Sequence, residues 1–434
     1  MLSTNGAWPR IEFVEHRLDN GLRVILSEDH LASVVAVNLW YNVGSRHEAR
    51  GKTGLAHLFE HMMFQGSRHV DKAEHFRLIS SVGGTLNGST WVDRTNYYET
   101  LPSHHLDLAL WLEADRLGGL LDALGQETLD NQREVVKNER RQGSDNRPYG
   151  SAIERLQAAV FPEGHPYHHR TIGSMEDLDA ASLDDVRTFF RTYYAPNNAV
   201  LSIVGDFEPQ SVRASVERFF GGIPSNPNIP PAPDVPIPAK IGRQVLEEVL
   251  DRVPLGRIYL GFRCPPLGTR AFDALMMASV VLARGKGSRL YSILVRDRQL
   301  AQDFVFGPFE WVGGSSMVVG WATARPEVAL ETLEAALHEV VGGLAGGKID
   351  EEELTRARAI VEKDELGRLQ PVEERADRLS MYATLFDDPE KANERLPTLF
   401  GVTADEIREA VGEFFTPDNR VVLSFMPAPL GETA

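Results

Sequence analysis

The sequence predicts an α+β protein made of two homologous domains, each a mixed β-sheet packed with helices. Three observations lead to this prediction. The chain has 434 residues, which is more than one ordinary hydrophobic core accommodates. Apolar strands and amphipathic helices are mixed with hairpins instead of alternating strictly. One long pattern also occurs twice, and a repeat of that length indicates a duplicated domain.

The repeated pattern is an amphipathic helix, a pair of aromatic residues, a Pro with an Asn, and an apolar strand. The first copy reads DVRTFFRTYYAPNNAVLSIVGDF and the second EIREAVGEFFTPDNRVVLSFMP. Pro196 and Asn198 of the first copy recur as Pro417 and Asn419, 221 residues later. Because order, spacing and chemistry agree together, we interpret the two halves as copies of one domain.

The stretch between the copies, GGIPSNPNIPPAPDVPIPAK, is rich in Pro and Asn. This composition predicts a stiff, extended linker without regular structure. We therefore expect an N-terminal domain over residues 1–220, a linker over 221–242 and a C-terminal domain over 243–434.

The elements of the first half follow from local patterns. EHRLDNGLRVIL predicts a hairpin around Asp19-Asn20-Gly21. SVVAVNLWYNVGS predicts a buried strand, and two further strands are expected on either side of Asp93. Apolar periodicity predicts helices, which lie near residues 54–65, 71–82, 104–120 and 127–142.

Composition limits the class of partner. The chain carries 45 basic and 62 acidic residues, a net charge of -17, which disfavours nucleic acid and favours basic peptides. No run approaches the roughly 18 apolar residues of a membrane helix. The single Cys264 excludes an internal disulfide, and the start MLSTNGAWPR has no leader pattern. We expect a cytoplasmic protein, or a periplasmic one if a leader has been removed.

The stretch GLAHLFEHMMFQG places three ionisable groups in an apolar helix. Residues three and four apart share a helix face, so His57, Glu60 and His61 project together. Two neutral imidazoles in this arrangement can hold one zinc ion. The glutamate between them can take a proton from a water that the metal activates. The order H-x-x-E-H is the inverse of the commoner zinc-protease motif.

A catalytic zinc site needs a third protein ligand. The helix LDNQREVVKNERRQ offers two carboxylates, Glu134 and Glu139. Glu139 follows the apolar pair Val135-Val136 by about one turn, which places it near the inward face. Spacing alone leaves both glutamates open, because either can be a surface charge.

Together these residues resemble the pitrilysin, insulysin and mitochondrial processing peptidase family of zinc peptidases. There H-x-x-E-H is followed by E-R-x-V-V-x-x-E, whose last Glu is the third ligand. Glu139 matches that position, 78 residues after His61, and Glu134 does not. The resemblance implies one zinc per chain. Where the family often has a second Glu, this chain has Gln132, a candidate for hydrogen bonding behind the ligands.

The same resemblance extends to GGTLNGSTWVDRTNYYETLP. In the family this edge strand pairs with the substrate backbone, which implies Asn87, Gly88 and Thr90 as substrate-binding positions. Gly88 stands where Ala is usual. The cluster HPYHHRTIG resembles a His-Pro-Tyr stretch of the family, and we interpret it as a structural loop in preference to a second metal site.

The second half lacks both the zinc ligands and an expected substrate-contacting pair. Aligning the halves through Gly-Ser places Ala278, Val281 and Leu282 opposite the H-x-x-E-H positions. Relatives with a complete active site carry an Arg and a Tyr in the second half, where this chain has Val295 and Gln302. A register slip would let Arg296 serve as that Arg.

The resemblance therefore implies half of a clamshell-shaped zinc metalloendopeptidase, with Glu60 as the general base and peptides as substrates. The missing Arg and Tyr imply a heterodimer in which a homologous subunit supplies them. Two alternatives stay open: a non-catalytic core subunit of the same fold, as in respiratory cytochrome complexes, and a role in maturing a peptide-derived cofactor.

Overall fold

The first half of the chain builds a six-stranded mixed sheet. The computed structural model describes residues 8–428, so the stretch MLSTNGA of the leader prediction lies outside the described residues. The strands are β1 (Val14–Arg17), β2 (Arg23–Glu28), β3 (Val34–Tyr41), β4 (Thr85–Thr90), β5 (Thr95–Pro102) and β6 (Ala199–Gly205). The helices are α1 (Leu55–Met62), α2 (Glu74–Ser81), α3 (Leu106–Ala123), α4 (Gln126–Arg140), α5 (Ala152–Val160), α6 (Met175–Ala180), α7 (Leu183–Tyr193) and α8 (Pro209–Phe220).

The second half builds a five-stranded sheet from β7 (Val245–Asp251), β8 (Arg257–Cys264), β9 (Ala301–Pro308), β10 (Ser316–Ala324) and β11 (Arg420–Pro427). Its helices are α9 (Arg270–Ala283), α10 (Leu330–Gly346), α11 (Glu351–Arg368), α12 (Val372–Phe386), α13 (Lys391–Phe400) and α14 (Ala404–Phe414). Residues 221–244 contain neither helix nor strand. Among residues 8–428, no helix combines the length and the apolar character that crossing a bilayer requires.

The two sheets share one topology, and the predicted fold class and duplication are confirmed. The strand orders are β1-β2-β6-β3-β5-β4 and β7-β11-β8-β10-β9. In each sheet the last strand along the chain pairs in parallel with one neighbour, β6 with β2 and β11 with β7, and all other pairs are antiparallel. The second sheet thus repeats the first without a counterpart of β1.

The repeated Asn has the same structural role in both copies. Asn198 Nδ2 donates to the carbonyl oxygen of Tyr193, and Asn419 Nδ2 donates to that of Phe414, each at 2.8 Å. Tyr193 and Phe414 end helices α7 and α14, whose last carbonyls lack partners within the helix. The Asn side chain therefore closes the helix and leads the chain into the strand that follows.

Each of the two compact units is built from segments that are not contiguous in the chain. One unit holds the chain through Asn138 with Arg170–Pro233 and Leu366–Arg395. The other holds Glu139–His169, Asp234–Glu365 and the chain from Leu396. A linear division at residues 221–242 therefore separates the sheets but not all of the helices. The physical reason is packing: α12 covers β3 and β6, and α5 covers β8 and β11.

The covering helices bury apolar surface on the face of each sheet. In the first unit Leu379 and Ala383 of α12 pack with Ala36 of β3 and Val204 of β6, all buried. The larger core of that unit lies on the opposite face, where α1, α2, α3 and α7 contribute side chains that are mostly inaccessible to solvent. The strands β2, β3 and β6 are thus covered on both faces, which explains their continuous apolar runs.

Candidate metal centre

Helix α1 is held at its start by a carboxylate. Gly54 precedes it with φ 86°, a left-handed conformation that favours glycine. Glu48 Oε2 accepts from the Gly54 N–H at 3.0 Å, and its Oε1 accepts from the Ala56 N–H at 2.7 Å. A negative charge here satisfies N–H groups that the helix leaves free and complements its dipole. On the inner face Leu58 and Phe59 are fully buried, so the rotation of α1 about its axis is also determined.

This orientation turns His57 and His61 outward together with Glu60. The imidazole rings of His57 and His61 have centroids 4.9 Å apart and an interplanar angle of 82°. One ligand atom each of His57, His61 and Glu139 lies within 4.8 Å of the other two. Atoms bound to one zinc ion at 2.0–2.2 Å are at most about 4 Å apart, so small side-chain rotations suffice. Two imidazoles and one carboxylate are a donor set that suits catalytic zinc.

The two candidate carboxylates of α4 differ in their surroundings. Glu139 lies in the last turn of α4, one residue past the part of that helix assigned to the first unit. Glu134 is 58% exposed and pairs with Lys137 Nζ at 3.0 Å, and the metal-competent groups of residues 8–428 do not include it. Gln132 is buried, and its Nε2 donates to Asn131 Oδ1 at 2.9 Å. The geometry thus separates the glutamates that spacing left open.

Glu60 is joined to the strand that borders the site. Thr90 Oγ1 donates to Glu60 Oε2 at 2.6 Å. A hydroxyl in this position holds the carboxylate in one rotamer beside the two histidines. The arrangement therefore supports the predicted role of Glu60 as a general base, with Thr90 as its positioning partner.

Strand β4 is the outer strand of the first sheet. Among residues 8–428 no strand pairs with its outer edge, which is the arrangement to which an extended peptide can add. Gly88 and Thr90 face the side of the sheet that carries Glu60 and Phe64, while Asn87 faces the other side, where it stands opposite Tyr98 of β5. Asn87 Oδ1 also accepts from the Gly88 N–H at 2.9 Å.

The turn from β4 to β5 is braced from that other side by Arg94, which the sequence analysis did not single out. Arg94 Nη1 donates to the carbonyl oxygen of Ser89 and to Asn96 Oδ1, each at 2.8 Å. Its guanidinium lies 5.0 Å from the Trp40 ring centroid. Burial lowers the pKa of Arg94, and the charges of Asp377 and Glu60 oppose that shift. In the sequence, the signal that could have identified Arg94 is its position beside a two-residue turn.

The histidines of the HPYHHRTIG loop and the second-half positions opposite the zinc ligands lie as follows. His165 is buried and stacks on Phe161, with ring centroids 4.9 Å apart, and burial lowers its pKa to about 4. No metal-competent group among residues 8–428 contains a histidine of that loop. Ala278, Val281 and Leu282 lie in the core face of α9, all fully buried.

The positions expected for the Arg and Tyr pair carry no such groups. Val295 is half-buried in a π-helical turn, and Gln302 is exposed on β9. The alternative residue, Arg296, pairs through Nε with Asp297 Oδ1 at 2.7 Å. Its guanidinium therefore already has a partner on the adjacent residue.

Comparison with known proteins places these features in context. Residues 23–170 match the family described as Insulinase (Peptidase family M16), and residues 180–361 match the Peptidase M16 inactive domain. The zinc protease PqqE of Helicobacter pylori is 30% identical over 81% of this chain and 79% of its own length. The uncharacterized zinc protease YmxG of Bacillus subtilis is 22% identical over 93% of this chain and 96% of its own length.

Solved structures agree on the fold. A protease from Helicobacter pylori has a TM-score of 0.89 at 27% identity, covering 96% of this chain and all of its own. Pitrilysin has a TM-score of 0.77 at 19% identity. That match covers 98% of this chain but only 46% of the pitrilysin chain. The match to the periplasmic protease PqqL of Escherichia coli likewise covers 97% of this chain and 48% of the PqqL chain.

Proposed function

Because the chain belongs to the insulinase family of peptidases, family M16, we propose that it is the zinc-holding subunit of a metalloendopeptidase acting on peptides or unfolded segments. The observation that carries the proposal is the convergence of His57, His61 and Glu139 within 4.8 Å. Relatives named zinc proteases support the choice of metal. The chemistry that zinc supplies when bound is polarisation of a carbonyl oxygen and acidification of water.

The chain's own residues bind and orient the substrate. A peptide adds to the free edge of β4 as a further strand, so its backbone is held by main-chain hydrogen bonds and its sequence is only weakly restricted. Glu60 takes a proton from the attacking water and delivers it to the leaving amine. Thr90 keeps that carboxylate in place through its 2.6 Å hydrogen bond. The net charge of -17 attracts basic peptides.

We further propose that a homologous second chain completes the active site. The positions of the expected Arg and Tyr hold Val295 and Gln302, so this chain lacks donors for the developing oxyanion there. The chain matches slightly under half of pitrilysin and of PqqL. Single chains of that length have room for two such halves, which supports the pairing of two separate ones here.

The experiment measures zinc and hydrolysis together. We expect the purified chain to hold about one zinc, and Glu60→Gln to retain that zinc while losing turnover in the mixture with the partner, because an amide cannot accept the proton. Peptide cleavage is measured for the chain alone and after mixing with a homologue that carries Arg and Tyr. We expect cleavage only in the mixture. Zinc loss in Glu60→Gln would overturn the assigned role, and full activity of the isolated monomer would overturn the pairing.

A further inference from the structure

Four ionisable side chains lie together in the core of the first unit, apart from the zinc ligands. His75 of α2, Glu99 of β5, and Glu113 and Arg116 of α3 are each at most 5% exposed. His75 Nε2 and Glu99 Oε1 are hydrogen-bonded at 2.9 Å. Arg116 donates through Nε to Glu113 Oε2 at 3.2 Å and through Nη2 to Glu113 Oε1. We call these four residues the buried network.

Charge balance indicates that the network holds a proton and not a second metal ion. One ligand atom each of His75, Glu99 and Glu113 lies within 4.8 Å of the other two, so the spacing alone permits a metal. The two carboxylates carry two negative charges, Arg116 carries one positive charge and His75 is neutral. A divalent ion would therefore leave the network with one net positive charge. A single proton leaves none, and an uncompensated buried charge is strongly unfavourable.

The acid–base behaviour of the groups agrees with this count. Burial raises the pKa of Glu113 to about 8 and raises that of Glu99, while it lowers the pKa of His75 to about 3. One carboxylate oxygen of Glu99 lies within 4.8 Å of one of Glu113, so the two carboxylates repel each other when both are charged. Near neutral pH the pair thus shares one proton, as closely spaced carboxyl groups do.

The network supports the floor of strand β4. The Arg116 guanidinium carbon lies 4.2 Å from the ring centroid of Tyr97 and 5.1 Å from that of Phe64. A Cβ added to Gly88 would lie 3.0 Å from Tyr97 Cδ1 and 3.2 Å from Phe64 Cε2. The two rings are therefore sandwiched between Arg116 and the backbone of β4. Phe64 also follows α1 by two residues, which connects this floor to the zinc helix.

We propose that the buried network is a proton-dependent positioning device for β4, the strand that accepts peptide under the proposed function. With its proton the network is neutral, and Arg116 stays against the two rings. Loss of the proton leaves a buried negative charge, and repulsion between Glu99 and Glu113 displaces the carboxylate to which Arg116 is bonded, which loosens the floor. Among residues 8–428, the other ionisable groups that face it are Tyr41, Tyr97, Asp115 and Tyr194.

Peptide affinity tests the proposal without turnover. Binding of a fluorescein-labelled, unstructured basic peptide is followed by anisotropy from pH 6 to 9, in zinc-loaded protein carrying Glu60→Gln. We expect Kd to rise about tenfold above pH 8 as the proton leaves. Adding Glu113→Gln keeps the network neutral at every pH, since Glu99 then balances Arg116, and the rise disappears. An unchanged rise in that variant would overturn the proposal.

A matched pair of arginine variants tests the stacking. Arg116→Met raises Kd about tenfold throughout the pH range, because the contacts with both rings are lost. Arg218→Met, which removes an exposed arginine paired with Asp107, leaves Kd unchanged. Equal affinities of the two variants would contradict the role of Arg116.

Hydrogen exchange tests the positioning device without any peptide. Failure of the peptide to bind would contradict the proposed function, but it would leave this measurement valid. At pH 9 the β4 amides bonded to β5 should exchange about tenfold faster in the parent than in its Glu113→Gln variant. Amides of β10 should not differ. Equal exchange in β4 would refute the device. So would a second metal ion that binds the parent and is lost in Glu113→Gln.

Discussion

The choice of Glu139 as third ligand makes a quantitative prediction for Glu139→Gln. Zinc-binding free energies of about 10–16 kcal/mol, spread over four ligands, amount to roughly 3 kcal/mol per ligand. At about 1.4 kcal/mol per factor of ten, loss of the charged ligand lowers zinc affinity roughly a hundredfold. The geometry justifies counting Glu139 as a full ligand, since its carboxylate lies within 4.8 Å of ligand atoms of both His57 and His61.

Glu134→Gln is the matched control on the same helix. Glu134 is 58% exposed and its partner is Lys137, an ion pair worth at most about 1 kcal/mol in solvent. Zinc affinity is measured by competition with a fluorescent chelator at neutral pH, and thermal unfolding of the metal-free proteins verifies that both fold. We expect a large loss for Glu139→Gln and none for Glu134→Gln. The reverse order, or equal affinities, would refute the assignment.

Three further predictions follow from single contacts. Thr90→Val removes the hydrogen bond to Glu60 and should lower kcat/KM about tenfold with zinc content unchanged; loss of zinc would point to a structural role instead. Because burial raises the pKa of Glu113 to about 8, the folded state binds its proton more tightly than the unfolded state. Stability should therefore fall by up to about 1 kcal/mol per pH unit as pH rises from about 5 to 8. Urea unfolding of Glu113→Gln should lack this fall, and an identical pH profile would contradict the shift. Asn419→Ala should cost about 2–4 kcal/mol, because two carbonyl oxygens, each 2.8 Å from Asn419 Nδ2, lose their donor. Asn198→Ala should cost less stability, since its second hydrogen bond, from Nδ2 to the carbonyl oxygen of Asn42, is 3.4 Å long. Equal losses of unfolding free energy in chemical unfolding would show that this second contact does not contribute to the difference.

Local patterns were sufficient for features that depend on residues close in the chain. The hairpin around Gly21, the strand pair around Asp93 and the helix carrying His57 and His61 are all present. Helix ends differ by a few residues: the helix expected over 71–82 spans Glu74–Ser81. Terminal turns depend on capping contacts that periodicity does not report.

The buried network was missed although β5 contains a signal for it. Thr95, Tyr97, Glu99 and Leu101 alternate toward one face of the strand, and all four are buried. A glutamate in an otherwise core-facing series indicates a buried charge that needs a partner. Its partners come from α2 and α3, however, and no local rule connects those helices to that position.

The sequence by itself determined the family, the duplicated α+β fold and the face of α1 that carries His57, Glu60 and His61, because these features rest on periodicity and short motifs. Tertiary structure decided that Glu139, which the family resemblance had favoured, lies close to the histidines, and it alone decided which helices cover which sheet. It also decided that His75, Glu99, Glu113 and Arg116 meet beneath β4. Those outcomes depend on how distant segments pack and on the cost of burying charge, both of which are properties of the folded chain and not of any local stretch.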